Sequence, residues 1–161
     1  MAGVAVRGTE VSPDRRASVV LASEGRPFSA AAIARAGDLA RAADSSILVL
    51  SIARVHGVAF GMQHSALMPT RAEWQEQHQI VREAVVKLKR RGFMVEGQVL
   101  GTRYPAKRIC ALAAEVGAGT IVMGADAPRM RMIGSMMWSQ EPQAVARRAK
   151  VAVHLITEDD G

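Results

Sequence analysis

Four short apolar runs stand out along the chain: Val19-Val20-Leu21-Ala22, Ile47 to Ile52, Thr120-Ile121-Val122-Met123 and Val151 to Ile156. Apolar runs this short, without polar alternation, read as strands buried on both faces. A fifth run, Phe93 to Leu100, is less apolar, which puts it nearer a sheet edge. Between the runs the period becomes helical. Ser29 is an N-cap for Ala30 to Arg41, a stretch of helix formers in which Ile33, Gly37 and Ala40 share a face. Thr70 with Glu73 makes a capping box that opens the longest helix, reaching to about Arg91. Its inward stripe reads Trp74, Gln77, Val81, Ala84, Val85, Leu88. Lys87, Lys89, Arg90 and Arg91 suit the negative end of its dipole, and Gly92 stops it. Pro105 begins a helix to Val116 with Ile109, Leu112, Ala113 and Val116 inward, and Pro142 to Ala149 forms a short last helix.

Five strands and four helices therefore alternate. This predicts an α/β fold: a single doubly wound parallel sheet, covered on both faces by right-handed crossovers. Ligands on such sheets bind beyond the C-terminal strand ends, where the winding reverses. The residues there are Ser23 to Arg26, Ser51 to Arg54, Gly101 to Tyr104, and Gly124 onward. Residues 17–157 make the domain; 1–16 read as a flexible N-terminal arm and 158–161 as an acidic tail. Two long connections break the alternation: 54–69, with His56 and His64, and 125–139, rich in Met and Arg.

Composition narrows the chemistry. A chain of 161 residues suits one domain, and with aromatics at only 4% the core must be aliphatic and methionine-filled. The lone Cys110 excludes an internal disulfide and any cysteine-based zinc site, and reads as a small buried hydrophobe beside Ile109. The net charge of +6 favours polyanion contact, but no nucleic-acid motif accompanies it. The four histidines show no ligand spacing, so no metal is expected. No run approaches the roughly 18 to 20 apolar residues of a membrane helix, and the N-terminus lacks the apolar stretch of a signal peptide, so a cytoplasmic location is the default. Nucleophile elbow, P-loop lysine motif and telling carboxylate pairs are all missing from the sequence, and no enzyme is predicted.

Three local patterns occur in order. Val-Val-Leu-Ala-Ser-Glu24-Gly25 precedes a helix of small residues. Val99-Leu100-Gly101 precedes an amphipathic helix. Thr120-Ile121-Val122-Met123-Gly124 is followed at a distance by Ala146-Arg147-Arg148-Ala149-Lys150-Val151 and a closing strand. In these the chain resembles the universal stress protein family, from about Ser18 to Ile156. The resemblance implies strand order 3-2-1-4-5 and a homodimer through the last strand, with Val151, Val153, His154 and Leu155 at the interface. Many members bind an adenine nucleotide of the ATP, AMP or cAMP class. Here that implies contacts from Ser23, Glu24, Gly25, the Ile52 and Ala53 backbone, Gly101 and Gly124.

The nucleotide-binding members carry Gly, two residues, Gly, nine residues, then Gly-Ser or Gly-Thr after strand four, where glycine amides cradle phosphate. Gly124 matches the first glycine, but the second position is Ala127, followed by Pro128, which has no amide. The final pair falls on Met137 by count and on Ser139-Gln140 counting back, while the literal Gly134-Ser135 stands three residues early. Glu24 replaces the usual aspartate after strand one, and Glu141 lies in a first helical turn, where it competes with phosphate. These departures predict reduced ATP affinity. Arg129 and Arg131 either hold phosphate through charge-assisted bonds or form a solvated basic loop. Met130, Met132, Met136, Met137 and Trp138 either fold back over the sheet end or make a partner-binding lid. The alternative to nucleotide binding is a homodimeric protein-interaction module without nucleotide; a polyanion binder rests on the charge alone.

Overall fold

The computed structural model describes residues 17–55, 68–126 and 141–157. The arm 1–16, the tail 158–161, His56, His64, Ala127, Arg129, Arg131, Gly134, Ser135, Ser139 and the Met130–Trp138 cluster lie outside the described residues.

The elements are β1 (Ala17–Ser23), α1 (Ala30–Ala43), β2 (Ser46–Arg54), α2 (Arg71–Arg90), β3 (Val95–Thr102), α3 (Pro105–Glu115), β4 (Thr120–Ala125), α4 (Glu141–Arg148) and β5 (Ala152–Thr157). The sheet runs β3-β2-β1-β4-β5 with every pairing parallel. This is the expected α/β order, with the thinly apolar third strand at one edge and β5 at the other.

Each face of the sheet is covered by two helices, because each strand alternates its side chains between faces. On one face Val19, Leu21, Val49 and Val122 meet Ile33, Ala36 and Ala40 of α1 and Val81, Val85 and Leu88 of α2. On the other, Val20, Leu50, Ile52, Ile121 and Met123 meet Ile109, Leu112 and Ala113 of α3 and Val145 of α4. Small residues let the layers approach. At Gly97 an added Cβ would lie 2.5 Å from Val81 Cγ1 and 3.0 Å from Val85 Cγ2, so α2 sits on bare backbone of β3.

The helix starts follow from their caps. Ser29 Oγ accepts from the Ala32 amide at 3.0 Å. The capping box is closed on both sides: the Glu73 amide donates to Thr70 Oγ1 at 3.2 Å, and the Thr70 amide to Glu73 Oε2 at 2.6 Å.

Several boundaries differ from the sequence reading. Phe93 and Met94 precede β3. The Phe93 ring packs where Gly37 leaves room and sits 5.2 Å under the Arg41 guanidinium. Gly101 and Gly124 do not end their strands, which run on to Thr102 and Ala125. Val151 stands one residue before β5. The buried stripe of α2 also includes Ile80, which the sequence reading omitted.

Candidate functional site

The winding reverses between β1 and β4. From β1 the chain passes through α1 to β2 on one side; from β3 it crosses back through α3 to β4 on the other. Ala22 lies opposite Met123, so the residues after both, Ser23–Arg26 and Gly124–Asp126, meet at one end of the sheet.

The turn after β1 is built to hold a carboxylate. Ser23 Oγ donates to the Arg26 carbonyl at 2.5 Å and accepts from the Gly25 amide at 3.2 Å, tying the turn at both ends. Gly25 has φ +119°, a backbone state that side chains rarely adopt. Its carbonyl accepts from Gln77 Nε2 at 3.0 Å, and Gln77 Oε1 accepts from Ser51 Oγ at 2.5 Å. Ser51 is fully buried and lies opposite Ser23 in the register. Thus α2 and β2 brace the turn through one amide side chain.

Within that turn the Glu24 side chain is only 5% exposed. Arg26 Nε stands 2.8 Å from Glu24 Oε1, a charge contact without the alignment of a hydrogen bond. Both carboxylate oxygens are therefore buried without a hydrogen bond among the described residues. The remaining fork of Arg26 reaches across to β4: Nη1 donates to Asp126 Oδ1 at 2.9 Å and Nη2 to Oδ2 at 3.2 Å. This bidentate bond with Asp126 is the main cause of the rise in Arg26's pKa above its ordinary value; burial opposes it and the Glu24 charge adds to it. Arg26 thus spans the mouth from β1 to β4.

A second ion pair lies at the same end. Glu141, first residue of α4, has Oε1 3.5 Å from Arg54 Nη2 at the end of β2, and its Oε2 accepts from the Ala106 amide in the first turn of α3 at 3.3 Å. Proline at N1 and an uncapped Tyr104 leave that turn with a free donor for it. One carboxylate thereby occupies the positive ends of two helices.

The expected residues are distributed as follows. Ser23, Glu24, Gly25, Ile52 and Gly124 collect at the C-terminal ends of the central strands, with a Gly25 Cβ placed 3.4 Å from the Ile52 carbonyl. Ala53 is one step further along β2, paired with Gly101. Gly101 lies two strands from β1, about 10 Å away. A Cβ there would come 3.1 Å from the Trp74 ring, so its role is to seat the indole. The sequence reading missed Arg26, Asp126 and Arg54 as a charge network, and took Gln77 for part of the apolar stripe. A glutamine in that stripe was the available signal.

At the opposite end of the sheet lies a cavity of about 990 Å³, bordered by Arg41, Asp44, Lys89, Arg91, Phe93 and Met94. Among the described residues, the buried side-chain oxygens without a hydrogen bond belong to Glu24 and Gln143, and neither lines it. Chemistry therefore places the candidate site at the C-terminal end of the sheet and not at this cavity. Among the described residues, no cluster of three or more metal-ligating side chains occurs, and no helix is long and apolar enough to cross a membrane.

Comparison with solved structures places this geometry in a known fold. UspA from Lactobacillus plantarum matches with TM-score 0.68 at 14% identity, covering 88% of this chain and 98% of that one. A universal stress protein from Archaeoglobus fulgidus in complex with dAMP matches with TM-score 0.64 at 21% identity, covering 87% and 97%. A universal stress protein in complex with cAMP matches with TM-score 0.60 at 24% identity, covering 91% and 100%. No curated protein sequence matches the chain. The sequence pattern of the Universal stress protein family matches residues 16–157, which takes in every residue from the start of β1 to the end of β5. With that match added to the 3-2-1-4-5 sheet, the chain belongs to the universal stress protein family.

Proposed function

We propose that this chain is a non-enzymatic regulatory module that binds an adenine nucleotide over the C-terminal ends of β1 and β4, with reduced affinity for ATP. The observation that carries the reading is Glu24: a carboxylate 5% exposed, at the winding reversal, with neither oxygen hydrogen-bonded among the described residues. Its charge is offset by Arg26, but its oxygens keep acceptor capacity that a ligand N–H, such as the exocyclic amine of adenine, would fill. The complexes of structural relatives with cAMP, dAMP and AMP support the same ligand class. Mass spectrometry of the purified, denatured protein tests it directly by revealing carried nucleotide. Calorimetry with AMP then compares the wild type with Glu24→Ala, which loses about tenfold or more in affinity, the worth of one charged hydrogen bond.

The reading includes a homodimer through β5. That strand is an edge, paired on one side by β4, and an apolar edge is a hazard unless covered. Val153 and Leu155 pack against the α3–α4 core, so a charge at Val153 would damage the monomer as well as any interface. Sedimentation of the wild type over a dilution series is therefore the cleaner check, and a monomer at micromolar concentration rejects the dimer.

One observation favours the second reading, a nucleotide-free interaction module. Arg26 bridges Glu24 and Asp126 directly across the mouth where a base would enter. Absence of carried nucleotide, together with no AMP binding at millimolar concentration, selects that reading.

A further inference from the structure

We infer that the crevice discriminates by ligand charge, taking a nucleoside or a nucleoside 3′,5′-cyclic monophosphate over a triphosphate, and that Asp126 and Glu141 set that choice. The inference rests on the nucleotide-binding reading above and adds the ligand class to it.

Two guanidinium groups and three carboxylates pair at this end of the sheet: Arg26 with Glu24 and Asp126, and Arg54 with Glu141. Both bases are engaged. Arg26 gives both ends of its fork to Asp126, at 2.9 and 3.2 Å, while its Nε faces Glu24. Arg54 faces Glu141 at 3.5 Å.

The backbone donors tell the same story. The positive end of a helix is where a phosphate would settle. At α4 the first residue is itself the carboxylate Glu141, and at α3 the same carboxylate takes the Ala106 amide at 3.3 Å. Glu141 is thus an anion supplied by the chain at the place an external one would occupy.

A triphosphate entering this wall must displace Asp126 from a bidentate guanidinium or Glu141 from Arg54 and a helix end. Otherwise its own charges lie against those carboxylates, like charge beside like charge. A neutral nucleoside asks for no exchange, and a cyclic monophosphate carries a single charge that can remain toward solvent.

Calorimetry on the full chain at about 0.15 M salt tests this with adenosine, cAMP and ATP on the wild type, Asp126→Asn and Glu141→Gln. Both substitutions keep shape and remove one charge, and they sit on different elements, so a folding defect in one leaves the other informative. In the wild type, adenosine and cAMP bind about tenfold or more tightly than ATP. In each variant the ratio of ATP to adenosine affinity rises about tenfold, the worth of one charge-assisted bond. ATP binding as tightly as adenosine, or more so, overturns the inference while leaving the nucleotide reading standing, and transfers phosphate selection to Arg129 and Arg131. A ratio unchanged in both variants overturns it as well. If none of the three compounds binds, both the inference and the reading beneath it fall.

Discussion

Gly97→Ala is the sharpest test of how the layers of this protein are spaced. The new Cβ would lie 2.5 Å from Val81 Cγ1 and 3.0 Å from Val85 Cγ2. Carbon atoms in contact prefer about 3.5 to 4.0 Å, so the nearer clash is deep by roughly 1 Å. Neither valine can swing aside, because a β-branched side chain in a helix holds essentially one rotamer. Both are fully buried, in a core without slack. The helix itself must therefore lift from β3. Overpacking of this kind costs about 1 to 3 kcal/mol, and in a chain of this size each kcal/mol moves Tm by roughly 2 to 4 °C. Urea unfolding reports the loss as a lower midpoint with an unchanged slope. Because α2 carries Gln77, nucleotide affinity should fall with it if the site is as proposed. The double variant Gly97→Ala, Val81→Ala supplies the control. The added methyl fills part of the space vacated, so the pair should be less damaging than the sum of its members by about 0.5 to 3 kcal/mol. A single variant within about 0.5 kcal/mol of wild type, the usual range for an innocuous surface change, would refute the steric reasoning. So would strictly additive losses in the double variant.

Two further outcomes follow from a buried amide, Gln77, and a half-buried thiol, Cys110. Gln77→Leu leaves the buried Ser51 hydroxyl without its acceptor and frees the Gly25 carbonyl, costing about 1 to 3 kcal/mol by urea unfolding; adding Ser51→Ala should recover part of the loss, and no recovery would show that the amide acts through packing alone. At Cys110, burial pushes the thiol above its ordinary pKa of 9.0, with the Arg148 charge opposing it. The unfolded thiol then ionises first, so this contribution to stability is intact below the unfolded pKa and is lost as pH rises through the folded one. Thiol titration with a disulfide reagent should accordingly be slow near pH 7 and accelerate in alkali; rapid labelling of the folded protein at neutral pH would contradict it.

The alternation of strands and helices was legible because the evidence for it is local, whereas the order 3-2-1-4-5 came with the family resemblance. Each apolar run is short, α1 and α2 open on side-chain caps, α3 opens on a proline, and the alternation leaves few topologies. Glycine was the misleading residue. Gly101 and Gly124 were read as strand ends, yet the backbone continues through both. At Gly101 the reason is a neighbour in space, the Trp74 ring, and no reading of the strand alone contains it. Phe93 misled in the opposite sense: a strand-forming side chain that instead packs at Gly37, with Arg41 over its face. The site divides in the same way. Glu24 could be found because its place after β1 is a sequence position. The bridge from Arg26 to Asp126 could not, because its members are 100 residues apart and meet only once the sheet is assembled. Glu141 was read correctly as an acid in a first helical turn, but its hold on α3 and Arg54 is again a contact across elements.

The central place of β1 also governs how the chain must be made. β1, β2 and β3 pair from the N-terminal 102 residues, but the other edge of β1 belongs to β4, which begins at Thr120. During synthesis at about 5 to 20 residues per second, that edge stays open for roughly one to five seconds while residues 103–125 follow. The segment waiting there is Val19 to Ala22, each residue of which is fully buried in the finished sheet. A nascent chain stalled in that interval would present an unsatisfied apolar strand edge to its neighbours, so translation speed across α3 is a determinant of yield.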